Sequence, residues 1–331
     1  MALPMDVPDL VKSGSKLQQD RSQPVSLAVV VELDADDALV QALRERLRPQ
    51  TAGAVLQVEV ADPDRPLTLN PCDAVVAVAG SGGSAMADAV ASARLARTPV
   101  VVVALGDEQV RVALADALKQ PLADLLVDEE VATLADVRLA SWLADEIGSK
   151  RLALAHNFAF MRRAVAHEAV QATAMQNALV GAVAFVPGAD MPIMTANQAK
   201  MLLQIAAAYG EKLGPERLRE LAAIVGGAFV LRTVARQVLG FVPVLGWAVK
   251  GGIGYAGTVA MGKAAIEYFE DGADLAEVAR RLKDGAGKAA QKLPRPGRRT
   301  SSLPERTPAS TQPELPGLMA SATPEAGAAG E

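Results

Sequence analysis

"DAVVAVAGSGGSAMADAVASARLARTPVVVVALG", residues 73–106, decides the fold. Two Val-rich runs, "DAVVAVAG" (73–80) and "PVVVVALG" (99–106), flank "GSAMADAVASARLA" (83–96), whose small and apolar residues recur at helical spacing. A strand apolar along its whole length, rather than at every second position, predicts a sheet covered on both faces. A helix between two such strands predicts a parallel connection.

The same alternation continues on both sides. "VSLAVVVEL" (25–33), "AVLQVEVA" (54–61) and "LADLLVD" (122–128) read as further strands. "DDALVQALRERLR" (36–48), "EQVRVALADAL" (108–118) and "EEVATLADVRLASWLADEIG" (129–148) read as helices. Residues 24–148 are therefore expected to form a doubly wound, mainly parallel α/β domain. After Gly148 no strand pattern remains, and 149–185, 196–210, 215–240, 244–270 and 274–293 are helical by period and length. The expected architecture is α/β plus all-α: the sheet domain, then a helical hairpin or bundle over 149–293. Residues 1–23 are expected to be a disordered leader. Residues 294–331, rich in Pro, Ser, Thr, Ala and Gly, are expected to be a disordered tail.

Composition narrows the function. Half of the 331 residues are hydrophobic, enough for packed cores in two domains. The net charge of −5 provides no general basic field, so nucleic acid is not an expected partner. The aromatics begin at Trp142, so the sheet half contains no stacking platform for a base. A lone cysteine, Cys72, builds neither a disulfide framework nor a thiolate metal site and reads as a small buried hydrophobe. Without an apolar signal segment in residues 1–24, a reducing cytoplasmic setting is the expectation.

The motifs for chemistry are incomplete. "AGSGGSAM" (79–86) stands where a strand turns into a helix, but it fits neither G-x-x-x-x-G-K-[ST] nor G-x-G-x-x-G. Asp34, Asp36 and Asp37 lack the glycine and distal glutamate of a calcium loop, and an Asp before a helix serves as a cap. His156 and His167 fall on one expected helix, three turns apart, too far to share an ion. Asp190, in the apolar turn "FVPGADMP" (185–192), has no visible catalytic partner. No catalytic, cofactor-binding or metal-binding residue is assigned, and an enzyme is not expected.

The order of strands is loosely similar to a GTPase core that has lost its chemistry. Where such cores carry the phosphate loop this chain has "ELDADDA" (32–38), and where N-K-x-D would follow a later strand only Asp107 is in place. The alternative reading is a weak nucleotide-binding regulator using "AGSGGSAM" and Asp107.

Within the helical half, "PGADMP", "NQAKMLLQIAAAYG" and "FVPVLGWAVKGGIGYAGTVAMGKAAIEYFE" occur in order over residues 150–275. This half resembles the YcjF-type helical domain of unknown function. The resemblance implies association with a GTPase and with a membrane, and it brings no catalytic residues. Thr195 with Gln198 fits a capping box that starts a helix after the joint at Pro187. Two lines of small residues, Gly252/Ala256/Ala260/Ala264 and Gly254/Thr258/Gly262, suit close helix approach, as in membrane helix pairs.

The apolar runs from Leu221 to Gly262 are broken by Arg232, Arg236 and Lys250 into pieces shorter than a span. With the resemblance added, a transmembrane or re-entrant helix at the cytoplasmic face of the cytoplasmic membrane is expected. Its partners would be an anionic lipid surface facing Arg280, Arg281, Lys283, Lys288, Lys292, Arg295, Arg298 and Arg299, and a GTPase or other protein, together with self-association into a homo-oligomer.

Overall fold

A computed structural model of the chain describes residues 7–65, 67–119, 121–183, 190–211 and 247–271, all within one compact unit. Five parallel strands lie in the order β2-β1-β3-β4-β5, with β1 Val25–Glu32, β2 Ala54–Ala61, β3 Ala74–Val78, β4 Val100–Leu105 and β5 Leu125–Asp128. β3 is buried along its whole length and β4 along all but its last residue, as their unbroken Val and Ala runs require.

Alternate residues feed two cores. Leu27, Val29, Val76, Val78, Val101 and Val103 point to one face. Ala28, Val30, Val75, Ala77, Val102 and Ala104 point to the other. The second face is closed by α3 (Ser84–Leu95) and α4 (Glu108–Leu118). The first is closed by α2 (Asp37–Arg46), a π-helical turn (Thr133–Leu139), α5 (Ala140–Glu146) and α6 (Arg151–Asn157).

That first core continues into the helical half. α7 (Met161–Val183), α8 (Asp190–Ala208) and α9 (Trp247–Asp271) pack together, and Met161, Val165, Ala207 and Ala208 join the residues of the sheet face. α7 runs against α9: Val170 meets Gly262, Asn177 meets Thr258, and Arg163 pairs with Glu270 at 3.8 Å. α8 runs along α9, since Gln198 meets Thr258 and Tyr209 stacks on Phe269 at 5.7 Å.

Three expectations are corrected. Residues 7–21 of the leader form a helix, α1 (Val7–Arg21), which packs on α6 and α8. Leu17 reaches two cores, and Arg21 donates to the Glu211 carbonyl at 2.9 Å. Pro8 is tolerated there because the first turn needs no N–H partner. The single helix expected over 149–185 breaks at Phe158, which is extended and fully buried in the sheet-face core.

The capping box is not used, because α8 begins at Asp190 with Pro192 in its first turn and Thr195 is buried in its interior. Among the described residues no helix is long and apolar enough to cross a membrane. α7 carries Arg162, Arg163 and Glu168 in its first turns, and α9 carries Lys263, Glu267 and Glu270 toward its end. The joint at Pro187, the runs from Leu221 to Gly240, the basic cluster from Arg280 and the tail lie outside the described residues. α8 ends as expected: Gly210 adopts a φ of +84°, and the Glu211 N–H returns to the Ala206 carbonyl at 3.0 Å.

Candidate functional site

In an open α/β sheet, ligands collect beyond the carboxyl ends of the strands where the chain order reverses, and here that point lies between β1 and β3. The loop after β3, Ala79–Gly83, leads into the N-terminus of α3, so its backbone N–H groups converge as an anion cradle. The cradle is already filled. The Glu32 side chain, at the end of β1 and 8% exposed, accepts from the N–H groups of Gly80 and Gly82, both at 2.9 Å, and of Gly83 at 2.5 Å.

Asp34 accepts from the Ser81 N–H at 3.1 Å, which completes the clasp between the two loops. The glycines are required by this occupant. A Cβ on Gly80 would strike the Asp34 side chain and its carbonyl, and one on Gly83 would come within 3.0 Å of Glu32 Oε1. Gly82 also has a φ of +75°.

Around the clasp the strand ends carry mostly acids. Asp36 and Asp37 follow β1, Asp62 and Asp64 follow β2, Asp107 and Glu108 follow β4, and Glu129 and Glu130 follow β5. Several have local duties. Asp36 caps α2 through Ala38 (2.8 Å) and Leu39 (3.1 Å), and Asp107 caps α4 through Gln109 (2.9 Å) and Val110 (3.1 Å). The Asp107 carboxyl is therefore engaged by its own helix. A phosphate approaching this edge would meet carboxylates rather than the lysine such ligands require.

Other candidates are scattered. His156 sits on α6 and His167 on α7, and burial is the main cause that pushes each imidazole below its ordinary pKa, aided by Arg21 at His156 and Arg163 at His167. Cys72 is half-buried, and burial and Asp73 raise its thiol. Tyr209 donates to Glu270 at 2.8 Å, and burial with that bond holds its hydroxyl well above its usual range. Among the described residues no group of three or more His, Cys, Asp and Glu could hold a metal ion. A surface recess of about 590 Å³ lined by Arg46, Arg48 and Gln50 lies between α2 and the α6–α7 bend, away from the switch point. Its Arg46 is taken up in a two-pronged pair with Asp136.

A second constellation lies in the helical half. Thr258 of α9, fully buried, accepts from Asn177 Nδ2 at 2.9 Å and Gln198 Nε2 at 3.1 Å, and donates to the Gly254 carbonyl at 2.8 Å. Its one donor and two acceptor sites are all used. Asn197 donates to Asn177 Oδ1 at 3.0 Å. Gly254 and Gly262 let α9 approach this closely, because a Cβ on Gly254 would lie 2.8 Å from the Asn177 carbonyl and one on Gly262 would run into Val170. Of the two small-residue lines, Gly254/Thr258/Gly262 thus forms the buried seam, while Gly252, Ala256 and Ala260 face outward.

Residues 151–295 match the family model DUF697, a domain of unknown function. The DUF697 match begins at α6 and takes in the whole α7–α8–α9 seam, and the sheet lies outside it. Neither the curated proteins nor the solved structures include a match to the chain.

Sequence reasoning found Glu32 and Asp34 within "ELDADDA", where a phosphate loop would stand, and missed that their side chains bond the cradle after β3. The glycines of "AGSGGSAM" were the available signal. Thr258 was signalled by the small-residue line Gly254/Thr258/Gly262, whereas Asn177 had no signal beyond being a polar residue in an apolar helix.

Proposed function

We propose that this protein is a non-enzymatic scaffold whose α/β domain works without nucleotide and whose DUF697-matching helices dock on a membrane or protein partner. The observation carrying this reading is the Glu32 carboxyl seated on the N–H groups of Gly80, Gly82 and Gly83, where a bound phosphate would have to lie. A ligand phosphate would need to displace a buried, triply bonded internal anion and then face Asp34. Calorimetric titration of the full chain with Mg²⁺ and GTP or ATP tests this. No saturable heat is expected at roughly 1 mM ligand, a concentration that detects even millimolar affinity. Saturable binding that competes with inorganic phosphate would overturn it in favour of a nucleotide-responsive regulator.

Docking is supported by the surface of the helical half. α7 has no charged residue from Ala169 to Val183 and α9 has none from Gly251 to Gly262, while Met175, Leu179 and Ile193 are more than half exposed. An interior with satisfied polar groups and an uncharged exterior suits apolar surroundings. The cytoplasmic face of a membrane, with a GTPase as companion, is the setting the YcjF resemblance implies. Flotation with vesicles of neutral and anionic lipid checks the membrane half of this reading. Protein staying at the bottom of the gradient with both compositions leaves a protein partner as the docking target.

A further inference from the structure

β2 forms one border of the sheet, pairing with β1 over eight consecutive residues without a bulge. Among the described residues no further strand pairs with its outer edge. Natural edge strands are usually short, bulged or guarded by lysine or proline, because a free row of N–H and C=O groups recruits another strand. "AVLQVEVA" has none of these guards, and its one charge is Glu59. Val55, Val58 and Val60 are 61%, 58% and 48% exposed.

The two faces of the strand differ. Leu56, Val58 and Val60 sit beside Leu27, Val29 and Val31 of β1, on the face closed by α2. On the other face the connection to β3 is clamped over the strand, since Gln57 donates to the Thr68 carbonyl at 2.9 Å and accepts from the Asn70 N–H at 3.0 Å. The connection is thus held over one face of the strand.

We propose that β2 is the self-association surface of this protein, pairing antiparallel with β2 of a second copy across a two-fold axis at Val58. A second copy fits because the strand is complementary to itself in that register. Leu56 falls opposite Val60 of the second copy, Val55 opposite Ala61, and Glu59 opposite Gln57 rather than its own image. No like charges meet, the apolar row doubles on one face, and two five-stranded sheets become one of ten. The assembly does not depend on nucleotide or on docking of the helical half.

Sedimentation equilibrium of the full chain tests this. The wild type is expected to be dimeric at roughly 100 µM, where an interface of micromolar affinity is almost fully paired. Val58→Lys should be monomeric there with an unchanged circular dichroism spectrum, and Val112→Lys, at an exposed valine of α4, should remain dimeric. A position on the axis also lies within disulfide reach of its own image. In a Cys72→Ser background, Val58→Cys should therefore cross-link two chains on mild oxidation while Val112→Cys does not. A monomeric wild type, a dimer that survives Val58→Lys, or failure of the Val58→Cys chains to cross-link would each overturn the proposal.

Discussion

The sheet half and the helical half are built on opposite distributions of polarity. In the sheet the interior is almost purely Val, Leu and Ala, and the charges gather at the strand ends. In the α7–α8–α9 seam the interior holds Asn177, Gln198 and Thr258, while long outward stretches carry no charge. Apolar burial stabilises the first without choosing among helix registers, because it is non-directional. A fully satisfied hydrogen-bond network adds direction, since only one alignment of α9 places Thr258 between Asn177 and Gln198. The sheet half has a point of the same kind in the Glu32 clasp, and it is also the point where a functional site would be sought.

That comparison can be broken most forcefully at Glu32. Glu32→Ala leaves three N–H groups without their partner, and a loss of about 3–5 kcal/mol is expected, because each hydrogen bond to a charged group contributes about 1.5–3 kcal/mol and two of the three N–H groups are only partly buried. Urea unfolding with phosphate present and absent would read both the loss and any return of stability from an anion entering the cradle. In the helical half Asn177→Leu removes one corner of the network, strands Asn197 and part of Thr258, and should cost about 1–3 kcal/mol. If Asn177→Leu is as costly as Glu32→Ala, the helical half is no less dependent on one polar centre than the sheet half.

The smallest expected effect is on pH. The folded state holds His156 and His167 below the ordinary 6.5, so the unfolded chain binds protons first as pH falls. Their contribution is complete above that value and declines as pH drops through it toward the folded pKa values. Melting temperature should fall modestly from pH 7.5 to 5.5, and His156→Gln with His167→Gln should flatten that slope. Both residues flank the junction, so the slope reports on α6 and α7 rather than on the sheet.

What was legible in the sequence was what depends on neighbours in the chain. β3 and β4 announce themselves by unbroken apolar runs and the other strands by short apolar-rich ones, and Asp36 and Asp107 announce caps because the bonds they form reach only two or three residues ahead. The clasp joins Glu32 to residues 48 to 51 positions away, and the seam joins Asn177 to Thr258 across 81. Neither distance leaves a local spacing to read. Thr195 and Gln198 show how a local rule yields: they satisfy the pattern of a capping box, yet burial claims both for the interior of α8. α1 was missed for a similar reason, since its few apolar residues give a weak pattern and its partners lie far along the chain.

α1 also sets an order of events during synthesis. Its anchor, the bond from Arg21 to the Glu211 carbonyl, spans 190 residues. At ribosomal speeds of about 5–20 residues per second, α1 leaves the exit tunnel roughly ten to forty seconds before its acceptor exists. The sheet can close in that interval, and α1, which packs on both α6 and α8, completes its docking only once α8 has been made.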